Sequence, residues 1–323
     1  MFHVGGDTGN CCSLKVHDSM MKKTDHETYL GDVICSSGRN EKNIASKANK
    51  GVGAISQIFA MLNQVTLGQF YFETALVMRD SMLISKLVAS SEVWYNITKT
   101  EYQKLENIDE TFTRRLLNVQ SSVPKESLYI EIGKLPVKFI IKTRRLMYWW
   151  HLTNLNKTEL LYKFYTAQTL KTNHGDWVEQ LEKDKKELNL QLTDDDVRTF
   201  SQEQFRKVIQ EKIELAAGKF LVEQQNSHSK SENLKFEGFK PASYLTSRNL
   251  TTKEVQTLFN LRSRMIDVKA NFRSANLDNL WCKLCLLFPE TQQHLLECPD
   301  VRIRTKHIID CVIWKPKKSR KNS

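Results

Sequence analysis

The sequence predicts a mainly α protein with a short β-hairpin at its start and a small zinc knuckle near its end. Three observations carry that expectation. Residues 13–17 and 28–34 read as strands, and after Gly38 the texture turns helical and stays so. Helix-start signals recur in the middle of the chain, where Thr98 precedes Glu101, Thr193 precedes Asp196 and Ser201 precedes Gln204. Late in the chain, Cys282, Cys285, His294 and Cys298 follow the spacing Cys-x2-Cys-x8-His-x3-Cys.

In chain order, residues 13–17 alternate and 28–34 are strand-like, so a hairpin connected through residues 18–23 fits. Residues 43–64 carry Ile44, Val52, Ile55, Phe59 and Leu62 near helix period. Residues 70–93 read as a second, more apolar helix at the core. Thr98 opens a third, running through Leu105, Ile108, Phe112 and Leu116. Pro124 suits the first turn of a short helix closed by Gly133, and Pro136 starts another that reaches Trp149. Amphipathic helices continue over 158–222. Residues 224–241 are rich in Asn, Ser and Lys and read as linker. A last helix spans 251–265.

Composition narrows the function classes. The chain has 323 residues and a formal net charge of +11, with 40% hydrophobic residues. That is enough apolar material for a real core. The basic balance favours polyanionic partners, most simply nucleic acid. No apolar run approaches the roughly 20 residues that cross a bilayer, so no membrane association is expected. The start has neither a basic nor an apolar signal region. Of seven cysteines, Cys11, Cys12, Cys35 and Cys311 show no disulfide framework. An intracellular setting, cytoplasmic or nuclear, follows as the expectation.

The Cys/His set suits structural Zn2+. Three thiols and one imidazole fill a closed tetrahedron, leaving no open position to activate water. The bland alternative is four unrelated residues, the cysteines serving as small buried hydrophobes. Around the set lie Arg262, Arg264, Lys269 and Arg273 upstream and Arg302, Arg304 and Lys306 downstream, with Trp281 beside the first thiol. Cations tracking a backbone and an aromatic face stacking on bases suit single-stranded nucleic acid. No small-molecule substrate is expected.

Other motifs weigh toward plain structure. Asp194-Asp195-Asp196 sits in a helix's first turn, where carboxylates oppose the positive dipole end. Gly51-Val52-Gly53 has no P-loop lysine after it, and close helix packing explains it better. Tyr148-Trp149-Trp150-His151 suits core packing more than base stacking. Arg144 and Arg145 either grip phosphate or are exposed helix charge.

Read together, several segments resemble the C-terminal part of a LINE-type non-LTR retrotransposon reverse transcriptase. Tyr29-Leu30-Gly31-Asp32 is similar to the hairpin that follows the palm active site in that family. Residues 73–83, Ser91-Glu92-Val93-Trp94-Tyr95, Leu105 to Glu110, Leu128 to Gly133 and Arg144-Arg145 look like its thumb. His228-Ser229-Lys230 with Tyr244-Leu245 fits the region beyond the thumb. Leu261-Arg262-Ser263-Arg264-Met265, the four Cys/His residues and Pro299 resemble its terminal knuckle.

The resemblance implies a palm and primer-grip remnant over 1–38 and a helical thumb-like and connection region over 39–223. It implies a polar linker over 224–250, a helix with a CCHC knuckle over 251–314 and a basic tail over 315–323. It also implies element RNA and a primer-template duplex as partners. The family's aromatic-x-Asp-Asp turn, whose carboxylates hold two catalytic metals, does not occur in this sequence. The expectation is therefore a truncated, nucleic-acid-binding fragment that does not polymerise alone. The alternatives are a reverse transcriptase active only within a longer chain, and a non-enzymatic interaction protein or pseudogene product.

Overall fold

The computed structural model describes residues 15–16, 19–20, 24–64, 70–171, 175–227, 234–266, 268 and 280–300. The chain divides into two compact units, Met1–Val255 and Gln256–Ser323. The fold is mainly helical with a short antiparallel hairpin first, as the sequence predicts.

The strand pairing differs from the expectation. Strands β1 (Lys15–Val16) and β2 (Ser19–Met20) pair with each other, and β3 (His26–Tyr29) pairs with β4 (Asp32–Cys35). The single strand expected over 28–34 is thus folded back on itself. The cause is local: Leu30 and Gly31 take φ of 48° and 86°, the left-handed pair that closes a two-residue hairpin. Asp32, just past the turn, anchors the hairpin to helix α1 (Glu41–Gln64) through Lys47 Nζ at 2.8 Å and Asn43 Nδ2 at 3.2 Å.

Helix α1 buries Ile44, Ile55, Ile58, Phe59 and Leu62 along one face. Gly51 is needed there. A Cβ at this position would stand 2.7 Å from Leu87 Cδ2 and 2.9 Å from Ile108 Cγ2. Close packing, and not phosphate binding, therefore accounts for that glycine.

The helix expected over 70–93 is broken. It runs as α2 (Tyr71–Met78), widens into a π turn over Arg79–Ile84, and finishes as α3 (Ser85–Leu87). Ser90 then takes φ 60°, which ends the helix before a short 3-10 turn at Ser91–Val93.

Helix α4 (Lys99–Leu117) opens on the predicted capping box. Glu101 N donates to Thr98 Oγ1 at 3.2 Å, and Thr98 N donates to Glu101 Oε2 at 2.7 Å. Helix α5 (Lys125–Ile132) starts after Pro124 and stops at Gly133, and α6 (Val137–Thr153) starts after Pro136. Around α6 pack α7 (Leu160–Leu170), α8 (Trp177–Glu187), α9 (Asp194–Thr199) and α10 (Gln202–Asn226). Trp149 is the hub, fully buried against Phe205 and its neighbours. The core reading of the aromatic run therefore holds for Trp149, while His151 is exposed.

The acidic run at 194–196 caps and braces. Asp196 forms a capping box with Thr193, and Asp195 pairs with Arg198 at 2.7 Å. Asp194 Oδ1 accepts from Trp149 Nε1 and from Tyr165 OH, each at 2.8 Å.

Much of the stretch read as linker lies on the body. Leu234 and Leu245 are buried, and Phe236 sits over Gly218. Ala242 N donates to Glu131 O at 2.8 Å, and Tyr244 OH donates to the buried Glu131 carboxylate. This strap passes so close to Gly133 (φ 61°) that a Cβ there would come within 2.0 Å of the Lys240 carbonyl carbon. Helix α11 (Thr252–Arg262) follows and is shorter than the predicted 251–265. Arg264, with φ 54°, lies beyond its end.

Candidate metal centre

The second unit builds its site from a tight turn and a short helix. Leu286 N donates to Cys282 O at 2.9 Å and Cys282 N donates to Phe288 O at 2.8 Å, closing the chain round Cys285. Trp281 and Pro289 face each other across an isolated antiparallel bridge. Thr291 then caps helix α12 (Gln292–Glu297), its side chain accepting from His294 N at 3.0 Å. His294 and Cys298 stand one helical turn apart, with Cys298 N donating to His294 O at 2.6 Å.

This local folding brings the four predicted ligands together. One ligand atom from each of Cys282, Cys285, His294 and Cys298 lies within 4.8 Å of all the others. Cys285 Sγ is 3.2 Å from His294 Nε2. Cys282 and Cys298 are buried, Cys285 and His294 partly so. The set can hold a metal ion. Burial acts to raise the Cys282 thiol, but the backbone N–H groups of Cys285 and Leu284 outweigh it and hold the thiol below its ordinary value. The Cys285 thiol is also lowered, first by the backbone N–H of Leu287 and then by that of Phe288. Sulfurs that accept peptide N–H groups favour the thiolate, the form that binds metal.

Sequence reasoning picked out all four clustered residues and missed the support around them. Thr291, a hydroxyl three residues before His294, was a readable helix-start signal. The left-handed Leu286, with φ 55°, carries no such signal because leucine rarely adopts that conformation.

The residues expected to meet nucleic acid are placed less uniformly. Trp281 is exposed, Arg264 is exposed and Arg262 is half-buried. Lys269, Arg273, Arg302, Arg304 and Lys306 lie outside the described residues. Arg144 stays at the surface of the first unit, its Nη2 2.8 Å from Glu92 Oε2. Arg145 corrects the expectation. Its side chain is fully buried, bonded to the Asp184 carboxylate and to Trp94 O, and cannot reach a phosphate in this fold. The guanidinium is sealed because Asp184 neutralises it inside the body. Cys35 is buried and free, and Cys11, Cys12 and Cys311 lie outside the described residues.

Fold and site define a helical protein carrying a Cys3His cluster that could hold a metal ion. No known protein family, curated protein or solved structure matches the chain. Among the described residues, no helix is long and apolar enough to cross a membrane.

Proposed function

We propose that this chain is a nucleic-acid-binding segment of a retrotransposon-type RNA-directed DNA polymerase, and that its Cys/His cluster holds structural zinc. The observation that carries the proposal is the convergence of Cys282, Cys285, His294 and Cys298 within 4.8 Å in a chain of net charge +11. Zinc–sulfur bonds of about 2.3 Å in a tetrahedron place ligand atoms roughly 3.8 Å apart, which this cluster accommodates. Three thiolates and an imidazole complete four-coordination, so the ion would hold the module's fold. Arg262, Arg264 and the basic flanks supply the charge that neutralises phosphates. Element RNA and a primer-template duplex are the partners this reading assigns.

The order of segments along the chain, from Tyr29-Leu30-Gly31-Asp32 to the Cys/His set, supports the retrotransposon origin. The catalytic aspartate pair of that family is not in this sequence, so binding without polymerisation is the assigned activity. Oligonucleotide titration at several salt concentrations tests the binding. The log–log slope should be about −0.7 for each phosphate neutralised on a single strand. Binding indifferent to salt rejects the proposal. Primer extension on an RNA template with magnesium should stay at background, and robust extension would overturn the second half of the claim.

A further inference from the structure

Helix α7 carries its large apolar residues on the outside. Of its eleven residues only Tyr165 is buried, while Leu160, Leu161, Phe164 and Leu170 are 69%, 41%, 62% and 83% exposed. At about 100° per residue, buried Tyr165 and half-buried Tyr162 and Thr166 mark the side laid against the body. Leu160, Phe164, Ala167 and Lys171 form the opposite ridge, with Leu161 and Leu170 on its two flanks. The ridge repeats at intervals of four, three and four residues, the spacing of a seam between two packed helices. A surface helix of a self-contained body turns such a stripe inward.

Area and charge select a second copy of the chain as the occupant. At roughly 200 Å² per large apolar residue, the exposed fractions leave about 500 Å² on this one helix. Covering it on two copies removes about 1,000 Å², the floor of a specific interface, before any polar rim is counted. Against about 800 Å² per partner the apolar share is near two-thirds, as in homodimer interfaces. The face is also self-complementary. When one α7 lies antiparallel to another, about a twofold axis level with Tyr165 and Thr166, each bulky Phe164 comes opposite the small Ala167 of the other copy. Exposed Glu159, just before the helix, then comes level with exposed Lys171 at the far end of the second copy. A parallel pair would instead set Glu159 beside Glu159 and Lys171 beside Lys171.

We infer that the outer face of α7 is the contact of a twofold homodimer, two helices packed antiparallel with Phe164 at the centre and a Glu159–Lys171 pair at each end. The inference stands on the first unit alone and does not draw on the nucleic-acid reading above.

The test is sedimentation equilibrium of the full chain, treated with nuclease so that a shared nucleic acid cannot bridge two copies. The unaltered protein should reach dimer mass within the micromolar range. Phe164→Glu should weaken the dimer about a hundredfold or more, because a central aromatic anchor is lost on both copies. That side chain is mostly exposed, so circular dichroism should show the helical content unchanged. Glu159→Lys and Lys171→Glu should each weaken the dimer by about threefold to tenfold, and the double exchange should recover most of the loss. Glu159→Lys also removes the bond that Asn156 N donates to Glu159 Oε1. The double exchange removes it as well, so its recovery reports the pairing between copies alone. If Phe164→Glu alters the helical content, the charge exchange at the surface decides by itself. A chain that stays monomeric throughout the micromolar range assigns the face to another occupant and overturns the inference. A dimer that a folded Phe164→Glu leaves intact does the same, as does a double exchange no tighter than either single one. A dimer seen only without nuclease is bridged by nucleic acid and also overturns it.

Discussion

The Arg79 guanidinium holds the Asp109 carboxylate through two parallel bonds, Nε to Oδ1 at 2.7 Å and Nη2 to Oδ2 at 2.6 Å. Both side chains are sealed from solvent. Arg79 opens the π turn, and Asp109 lies on α4, so the pair ties the widened helix to the capped one.

Removing one partner leaves a buried charge without its counter-ion. Asp109→Ala should destabilise the first unit by about 3–5 kcal/mol. The double variant Arg79→Met with Asp109→Leu should regain most of that loss, because an apolar pair of similar volume avoids the desolvation cost. Urea denaturation followed by circular dichroism measures both.

Asp32 gives the hairpin a pH dependence. Burial acts to raise its carboxyl, and hydrogen bonds from Lys47, Ser90 and Asn43 more than offset that, so the group is depressed in the folded chain. A depressed carboxyl stabilises the fold above its unfolded value of about 3.9, and the benefit disappears as pH falls through the lower folded value. Asp32→Asn should therefore melt below the unaltered protein at neutral pH and converge with it in strong acid. A constant gap across the titration would rule the coupling out.

Two glycines two residues apart on α1 should respond with opposite sign. A Cβ at Gly53 meets nothing within 4 Å, so Gly53→Ala should stabilise by about 0.5–1 kcal/mol through helix propensity. Gly51→Ala drives a methyl into Leu87 and Ile108 and should cost about 1–3 kcal/mol. Denaturant midpoints of the two single variants decide this.

Metal removal should act locally. A strong chelator should open the segment from Leu280 to Cys298 to limited proteolysis, while the helical signal of the first unit persists on its own apolar core. Cys298→Ser should lower the metal content found by elemental analysis. Loss of the whole helical signal on chelation would contradict the division into two units.

What the sequence disclosed and what it concealed divide by range. The boxes at Thr98, Thr193 and Ser201 were legible because both partners lie within one helical turn. The Cys/His set was legible for a similar reason, since its two halves close on themselves. Arg145 was not legible. Its partner Asp184 is 39 positions away, and nothing in the local pattern of α6 separates it from the surface Arg144. The hairpin register was hidden for a different reason. Leu30 continues the apolar pattern of a strand, and only Gly31 hints that the backbone reverses there.

The strap over Gly133 changes where this protein can be dissected. Polar composition invites a cut near residue 223, but a cut there would strip Leu234, Phe236 and Leu245 from the surfaces they cover and take Tyr244 from the Glu131 carboxylate. A piece of the helical body that keeps these contacts must therefore extend past Leu245. Shorter pieces should be sticky and prone to precipitate, a handling fault easily mistaken for a failure of the helices themselves.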